Sequence, residues 1–290
     1  MTAFLSNYIA YIQESRSKSK ELEYREMNQY FWKNIEESHW REKRPTFYKN
    51  HELVLHKLED NVDGAWLRQV KNFIARDNLF HYLAGINEEW IKTNMDTVSF
   101  ESVEGNLVRS KPVVFLTFHN FYQVLLPLVL AQYFGPVFAF ALDEMTEADT
   151  LVRTYMTEMY KNMQGSFNGG SLLKVGAENS ESSRLKAKEV LAQKGNIFAA
   201  IDMVHPLLGS KSKTSLKADY FEVEVLSGVI DSGLKSNAQF TFPFEMFTLT
   251  GSTTEEVLES YQKVFDSLIL RDISVWEGAS LLTYKEGKFS

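Results

Sequence analysis

The chain has 290 residues, a net charge of -7 and no cysteine; 44% of its residues are apolar and 24% are charged. This is the composition of a globular protein large enough for one large domain or two small ones. The lack of cysteine excludes disulfides, thiol nucleophiles and thiolate metal sites, and it fits a reducing compartment. The negative charge argues against nucleic-acid binding by the protein as a whole, although it does not exclude a local basic patch.

The start of the chain does not resemble a signal peptide, since it lacks a basic segment and its apolar part is broken by Ser6, Asn7 and Gln13. The longest apolar run, residues 124–131, has about eight residues, whereas a membrane span needs about 20. We therefore expect a cytoplasmic protein without a transmembrane segment, which leaves peripheral contact with a membrane open.

Residues 1–95 have the pattern of amphipathic helices, with apolar and aromatic residues at helical spacing and charges between them. No Pro or Gly interrupts residues 1–44, and we expect Pro45 to end one helix and open a connection. The sequence thus predicts a helical N-terminal region over residues 1–95.

From residue 96 onwards, short β-prone runs alternate with helical patterns, which predicts an α/β domain over residues 96–290. We expect a mixed central sheet flanked by helices and packed with the N-terminal region as one unit. A capping box with Thr253 as N-cap and Glu256 three residues later predicts a helix start. The predicted strands are 113–118, 136–142, 196–201, 221–226 and 238–244, and the predicted helices between them are 148–163 and 180–193.

His119 directly follows the apolar strand predicted over residues 113–118. Ligands of open α/β sheets bind beyond the carboxyl ends of the strands. An imidazole at that place can take a proton from an attacking hydroxyl or amine, because its pKa is ordinarily near neutral pH. The alternative is a surface or packing histidine, and position alone does not decide between the two.

Four stretches together resemble a known family. Residues 99–119 contain a Lys-Pro pair and an apolar strand that ends in His, and residues 194–206 contain a Gly, an apolar strand and an Asp. Residues 221–246 lead through a glycine to a strand that ends in Pro, and residues 274–288 contain a Trp. In order and spacing these stretches are similar to the lysophospholipid acyltransferase-like superfamily, in particular the late acyltransferases of lipid A biosynthesis. The N-terminal region matches only in being helical and lacks the membrane-anchoring helix common in that branch.

The resemblance implies an acyltransferase-like fold and a general base at His119. In that family the histidine belongs to an H-x-x-x-x-D/E motif, whose acid holds the imidazole and stabilises its charged form. The acyl donor is a thioester on acyl carrier protein or coenzyme A, and no bound cofactor is needed. Here the acidic position of the motif is Val124, and Gln123 stands one position earlier, where its amide could hold a ring nitrogen.

Asp202 follows the strand predicted over residues 196–201 and matches the Asp of the family's second segment. It is the candidate for the missing acid; the alternative is that it caps the following turn. His205 is a second candidate base or substrate-binding residue, and the alternative for it is an ordinary loop residue.

The family also has an arginine that helps to bind the donor or the oxyanion. The resemblance offers Arg153 and Lys161 on the helix predicted over residues 148–163, with solvated helix charges as the alternative. A basic run could meet the phosphopantetheine phosphate or an acidic carrier protein, or be an ordinary loop. That run consists of Lys211, Lys213 and Lys217.

Three aromatic residues beside His119 are the best placed to line an acyl channel, although aromatic residues more often build core: Phe118, Phe121 and Tyr122. The remaining histidines show no metal-ligand spacing, so we expect no metal site.

The resulting hypothesis is an acyltransferase that acts on a hydroxyl or amine of a small or carrier-bound acceptor, in specialised-metabolite biosynthesis. One alternative is a thioesterase or chain-release enzyme on the same scaffold. The other is a non-catalytic relative that binds an acyl chain or a carrier protein.

Overall fold

The computed structural model describes residues 3–34, 40–55, 61–95, 112–142, 150–175, 180–200, 238–242, 245–281, 284–285 and 288–289. Its centre is a six-stranded sheet in the order β3-β2-β4-β1-β5-β6. The first five strands of that order are parallel, and β6 pairs with β5 in antiparallel fashion. The strands are β1 (Val114–Thr117), β2 (Val137–Leu142), β3 (Ser171–Val175), β4 (Asn196–Ala200), β5 (Ala238–Phe242) and β6 (Glu245–Thr248), and a short hairpin joins β7 (Tyr284–Lys285) to β8 (Lys288–Phe289).

Helices form the described part of the N-terminal region and surround the sheet. The N-terminal helices are α1 (Ala3–Lys18), α2 (Tyr24–Asn34), α3 (Arg44–Leu55), α4 (Val62–Leu79) and α5 (Glu88–Asn94). The later helices are α6 (Leu126–Phe134), α7 (Thr150–Gln164), α8 (Ser180–Ala192), α9 (Thr254–Arg271) and α10 (Gly278–Leu281). Short 3-10 turns lie at Arg41–Lys43, Leu83–Gly85 and Ile273–Val275. None of the described helices is both long enough and apolar enough to cross a membrane.

The central strand β1 is buried over its whole length and lies between β4 and β5. A strand covered on both faces needs an unbroken apolar run, which is why its sequence does not alternate. The register pairs Thr117 with Ala200, so β1 and β4 end level with each other at the carboxyl edge. At that edge, the Tyr261 hydroxyl of α9 donates a hydrogen bond of 3.0 Å to the Thr117 carbonyl. This hydrogen bond fixes the end of β1 to α9.

The prediction of an α/β protein with a mixed sheet is confirmed. The capping box is confirmed as well, because Thr253 and Glu256 make both of its reciprocal hydrogen bonds. The prediction for Pro45 was wrong: it is the second residue of α3. Proline is tolerated in a first helical turn, because the N–H groups there have no partner within the helix.

The described helices and strands that were not predicted are α6, α10, β3, β6, β7 and β8. The predicted strand at residues 221–226 lies outside the described residues, and so do residues 96–111, so the domain boundary at residue 95 stays a prediction. The start of β3 depends on Gly170, because a Cβ there would lie 1.8 Å from the carbonyl oxygen of Val137 on β2. Only glycine allows the two strands to approach so closely.

Candidate functional site

The loop after β1 holds His119 half-buried at the carboxyl edge of the central sheet. The next residue, Asn120, is fully buried. Its amide nitrogen donates to the Thr117 hydroxyl at 3.0 Å and to the Phe118 carbonyl at 2.8 Å. Its amide oxygen accepts from the Tyr122 N–H at 2.8 Å. One buried side chain therefore fixes the backbone on both sides of His119.

A second segment, residues 274–277, lies alongside this loop. Asn120 forms an isolated antiparallel bridge with Trp276, and the Glu277 N–H donates to the His119 carbonyl at 2.9 Å. His119 and Glu277 are therefore directly opposite each other, one position beyond the bridge. Residues opposite each other in an antiparallel pair have their side chains on the same side, with Cβ atoms about 5 Å apart.

Helix α4 holds residues 274–277 in place through its side chains. The Gln69 amide donates to the Trp276 carbonyl at 2.8 Å, and the Asn72 amide donates to the Ser274 carbonyl at 3.3 Å. The Trp276 ring is buried, and a Cβ at Gly278 would lie 2.3 Å from its ring carbons. The turn from Trp276 into α10 is thus held by hydrogen bonds from α4 and by the close approach of Gly278 to the Trp276 ring.

A buried cluster of charges lies next to this segment. The guanidinium of Arg76 on α4 is 2.7 Å from a Glu277 oxygen and 2.7 Å from an Asp77 oxygen. The exposed fractions of these side chains are 14% for Arg76, 6% for Glu277 and 1% for Asp77. The Arg76–Glu277 pair is close but not aligned as a hydrogen bond, so Glu277 Oε1 has no aligned donor among the described residues.

Two aromatic contacts and two pKa shifts characterise the cluster. Lys43 Nζ lies 4.5 Å from the centre of the Phe73 ring, and the Arg76 guanidinium lies 5.1 Å from it. Burial, together with the nearby Arg76, lowers the pKa of Lys43 to about 8, although Glu277 and Asp77 act in the opposite direction. Burial raises the pKa of Asp77, and Arg76 opposes that rise. Burial therefore disfavours the charged forms of Lys43 and Asp77, and the opposite charges nearby offset part of that cost.

The residues predicted around His119 have different environments. Phe121 is buried against Phe73, with ring centres 4.8 Å apart, and Phe118 is buried against Phe265 at 5.3 Å. Both rings fill the core, which is the alternative to an acyl channel that the sequence left open. Tyr122 and Gln123 are only partly buried, and Gln123 Oε1 has no hydrogen-bond donor among the described residues.

The remaining predicted residues are either on an exposed helix face or outside the described residues. Arg153 and Lys161 are exposed on α7, which is the position expected of solvated helix charges. The others lie outside the described residues: Asp202, His205, Lys211, Lys213 and Lys217. Among the described residues, no three histidine or acidic side chains converge as metal ligands do.

A cavity of about 180 Å³ opens elsewhere, between α1 and α7, beside His81. His81 Nε2 is 3.1 Å from the hydroxyl of Ser15, which resembles a nucleophile and its base. Ser15 is buried, however, and burial lowers the pKa of His81 to about 4. The positive charge of Arg16 in this cavity is paired with Glu158. This histidine therefore packs the helical region and is a poor base at neutral pH.

Sequence reasoning missed the charged residues that surround the loop: Lys43, Arg76, Asp77 and Glu277. The available signal was the position of Arg76 and Asp77 on α4, where helical spacing places both next to the buried Phe73. Glu277 had the weaker signal of one acid inside an otherwise apolar run. No protein-family model matches the chain, and no curated protein matches it either.

Proposed function

We propose that the protein is an acyltransferase that moves an acyl group from a carrier-protein or coenzyme A thioester to a hydroxyl or amine. His119 is the general base. The observation that carries this proposal is the half-buried imidazole at the carboxyl edge of the central parallel strand, where α/β proteins bind their ligands. The sequence resemblance to the acyltransferases supports the same reaction.

The proposed reaction needs one proton acceptor and no covalent enzyme intermediate. Neutral His119 takes the proton of the acceptor hydroxyl or amine as its oxygen or nitrogen bonds to the thioester carbonyl carbon. The carbonyl electrons move to oxygen, which forms a tetrahedral intermediate. When the C=O bond reforms, the C–S bond breaks, and the thiolate that leaves takes the proton from the imidazolium. The products are the acylated acceptor and a free thiol.

The rigid loop supports this role, because a general base works only when it is held within hydrogen-bond reach of the acceptor. Asn120 fixes the backbone around His119 from inside, and Glu277 fixes its carbonyl from the opposite segment. Tyr122 and Gln123 follow on the same loop and are only partly buried, so they are the described candidates for contact with the substrate. Asp202 follows β4, whose described end at Ala200 is level with the end of β1, and stays a candidate for the same edge.

Intact-mass analysis of acyl carrier protein loaded with acyl groups of varied length tests the reaction. We expect the acyl group to be lost only when an amine or alcohol acceptor is present, with the acceptor gaining the same mass. His119→Ala should lower the rate by about 10²-fold or more, because general bases contribute about that much. His81→Gln is the matched control, since His81 lies in the separate cavity between α1 and α7.

Other outcomes would replace this proposal. Loss of the acyl group without an acceptor would indicate a thioesterase, and a stable complex with no loss would indicate a binding protein. An unchanged rate of acyl transfer in His119→Ala would show that another group is the base.

A further inference from the structure

We infer that Glu277 is the carboxylate that faces His119 and stabilises its protonated imidazole, as a positioning residue for the proposed reaction. The inference rests on the proposed function for its catalytic meaning, but the pairing of the two side chains can be measured without any substrate. It assigns the role of the acid to a residue far from His119 in the sequence.

The backbone geometry places the two side chains together. Glu277 N donates to His119 O at 2.9 Å, one position beyond the antiparallel bridge of Asn120 with Trp276. In such a pair, opposite side chains lie on one side of the ribbon, with Cβ atoms about 5 Å apart. That distance is short enough for a carboxylate and an imidazole to interact directly or through one water molecule.

The neighbouring side chains agree with this assignment of sides. Phe121, on the same loop as His119, packs on Phe73 of α4. The Arg76 guanidinium, which binds Glu277, lies over that same Phe73 ring at 5.1 Å. On the other side of the ribbon, Trp276 packs against Phe265 of α9 at 5.3 Å. His119 and Glu277 therefore both belong to the side that faces α4.

Glu277 lies among charged side chains, and one of its oxygens can still accept a hydrogen bond. The charged or titratable groups near it are Arg76 and Asp77 from α4, Lys43 from the turn before α3 and Tyr8 from α1, and His119 is opposite it on the loop. An Arg76 nitrogen is 2.7 Å from Glu277 Oε1, yet this oxygen has no aligned donor among the described residues. An oxygen that is buried and not fully hydrogen-bonded gains most when a nearby imidazole becomes charged.

This arrangement would supply what the sequence motif lacks. Val124 occupies the place where the acyltransferase motif has an acid, so the chain has no carboxylate one helical turn after its histidine. In systems of this kind the acid orients the imidazole and stabilises its cation, and it does not need to be near the histidine in sequence.

The experiment is an NMR titration of the His119 ring in the full chain, without substrate. The samples are the unchanged protein, Glu277→Gln, Glu277→Asp and the control Glu245→Gln. Glu245 is an exposed acid on β6, with the nearest Arg271 nitrogen 3.7 Å away. We expect Glu277→Gln to lower the pKa of His119 by about one unit, a tenfold change in proton affinity, since a carboxylate at this distance favours the charged ring. Glu277→Asp keeps the charge and should retain most of the effect, and Glu245→Gln should have none.

The unchanged protein provides a test that does not depend on how the variants fold. A nuclear Overhauser effect between the His119 ring protons and the Glu277 side chain is expected, and its absence would overturn the inference. An identical His119 titration in folded Glu277→Gln and in the control would overturn it as well.

Turnover measurements separate this inference from the proposed function. If acyl transfer depends on His119 but the His119 titration ignores Glu277, the inference fails and the function stands. If the titration depends on Glu277 but no thioester is turned over, the pairing stands and the proposed function fails. When both hold, Glu277→Gln should lower kcat by about 10²-fold with little change in KM, because the interaction strengthens only when the imidazole is charged.

Discussion

Replacing Arg76 by methionine tests whether the buried charge cluster beside the His119 loop is held by its guanidinium. Arg76 contacts both Asp77 and Glu277 at 2.7 Å, and all three side chains are largely buried. Methionine keeps much of the side-chain volume of arginine but removes its charge. Among the charges of this cluster, Lys43 is then the cation that remains near the carboxylates of Asp77 and Glu277. Removing one partner of a buried ion pair costs about 3–5 kcal/mol. Since Lys43 remains, we expect the free energy of unfolding to fall by about 3 kcal/mol at neutral pH.

The loss of stability should depend on pH in a defined direction. Burial raises the pKa of Asp77 in the folded protein, and Arg76 opposes that rise, so its removal raises the pKa further. A carboxyl group whose folded pKa is above its unfolded value of about 3.9 binds more protons in the folded state, so stability falls as pH rises through that interval. The variant should therefore be closest to the unchanged protein near pH 5 and furthest from it at pH 7.

Urea or guanidinium unfolding followed by circular dichroism measures this effect. Arg68→Met is the matched control on the same helix, because Arg68 pairs with Asp272 at 3.2 Å while the two side chains are 44% and 30% exposed. An exposed pair of this kind contributes less than about 1 kcal/mol. If the two variants lost equal stability, or if the difference between Arg76→Met and the unchanged protein were no smaller at pH 5 than at pH 7, the account of the cluster would be wrong.

Two further predictions concern packing and protonation away from the loop. In Gly278→Ala the new Cβ would lie 2.3 Å from the Trp276 ring, so we expect a loss of about 1–3 kcal/mol and a shifted tryptophan emission spectrum. The control Gly85→Ala adds a methyl group where no atom lies within 4 Å, and an equal loss there would contradict the packing argument. The folded pKa of His81 is about 4, against about 6.5 when unfolded, so stability should fall by up to about 3 kcal/mol as pH drops through that interval. His81→Gln should flatten this dependence, and equal slopes with and without the histidine would refute its assignment to burial.

Local patterns carried most of what the sequence could predict. The capping box at Thr253 and Glu256 depends on residues three positions apart, and the structure shows both of its hydrogen bonds. The apolar run before His119 was sufficient to predict β1, because a strand buried on both faces needs no other signal. In contrast, β3 begins directly after a glycine-rich loop, and its existence depends on pairing with β2. A strand of that kind is specified by its neighbour, which the local sequence does not show.

The aromatic residues after His119 show a second limit of sequence reasoning. Phe118, Phe121 and Tyr122 are similar in type and adjacent in sequence, yet the first two are buried and Tyr122 is only partly so. The difference arises from the turn that Asn120 makes by hydrogen-bonding the Phe118 carbonyl and the Tyr122 N–H. A strand or helix periodicity cannot describe a backbone that changes direction within three residues.

The charged cluster could not be predicted because it brings together residues that are far apart in the sequence. It also shows how the N-terminal region is connected to the His119 loop. The sequence predicts that residues 1–95 are helical and pack with the α/β domain as one unit, but it does not show which residues join the two. The structure has α4 donate from Gln69 and Asn72 to the backbone of the segment that carries Glu277, and has Arg76 bind the Glu277 side chain. The backbone N–H of Glu277 in turn donates to the backbone carbonyl of His119. Hydrogen bonds therefore connect α4 to the loop that follows β1. Substitutions in α4 should therefore alter the titration of His119, although no residue of α4 needs to touch a substrate. Such an effect is expected of positioning residues and not of catalytic ones.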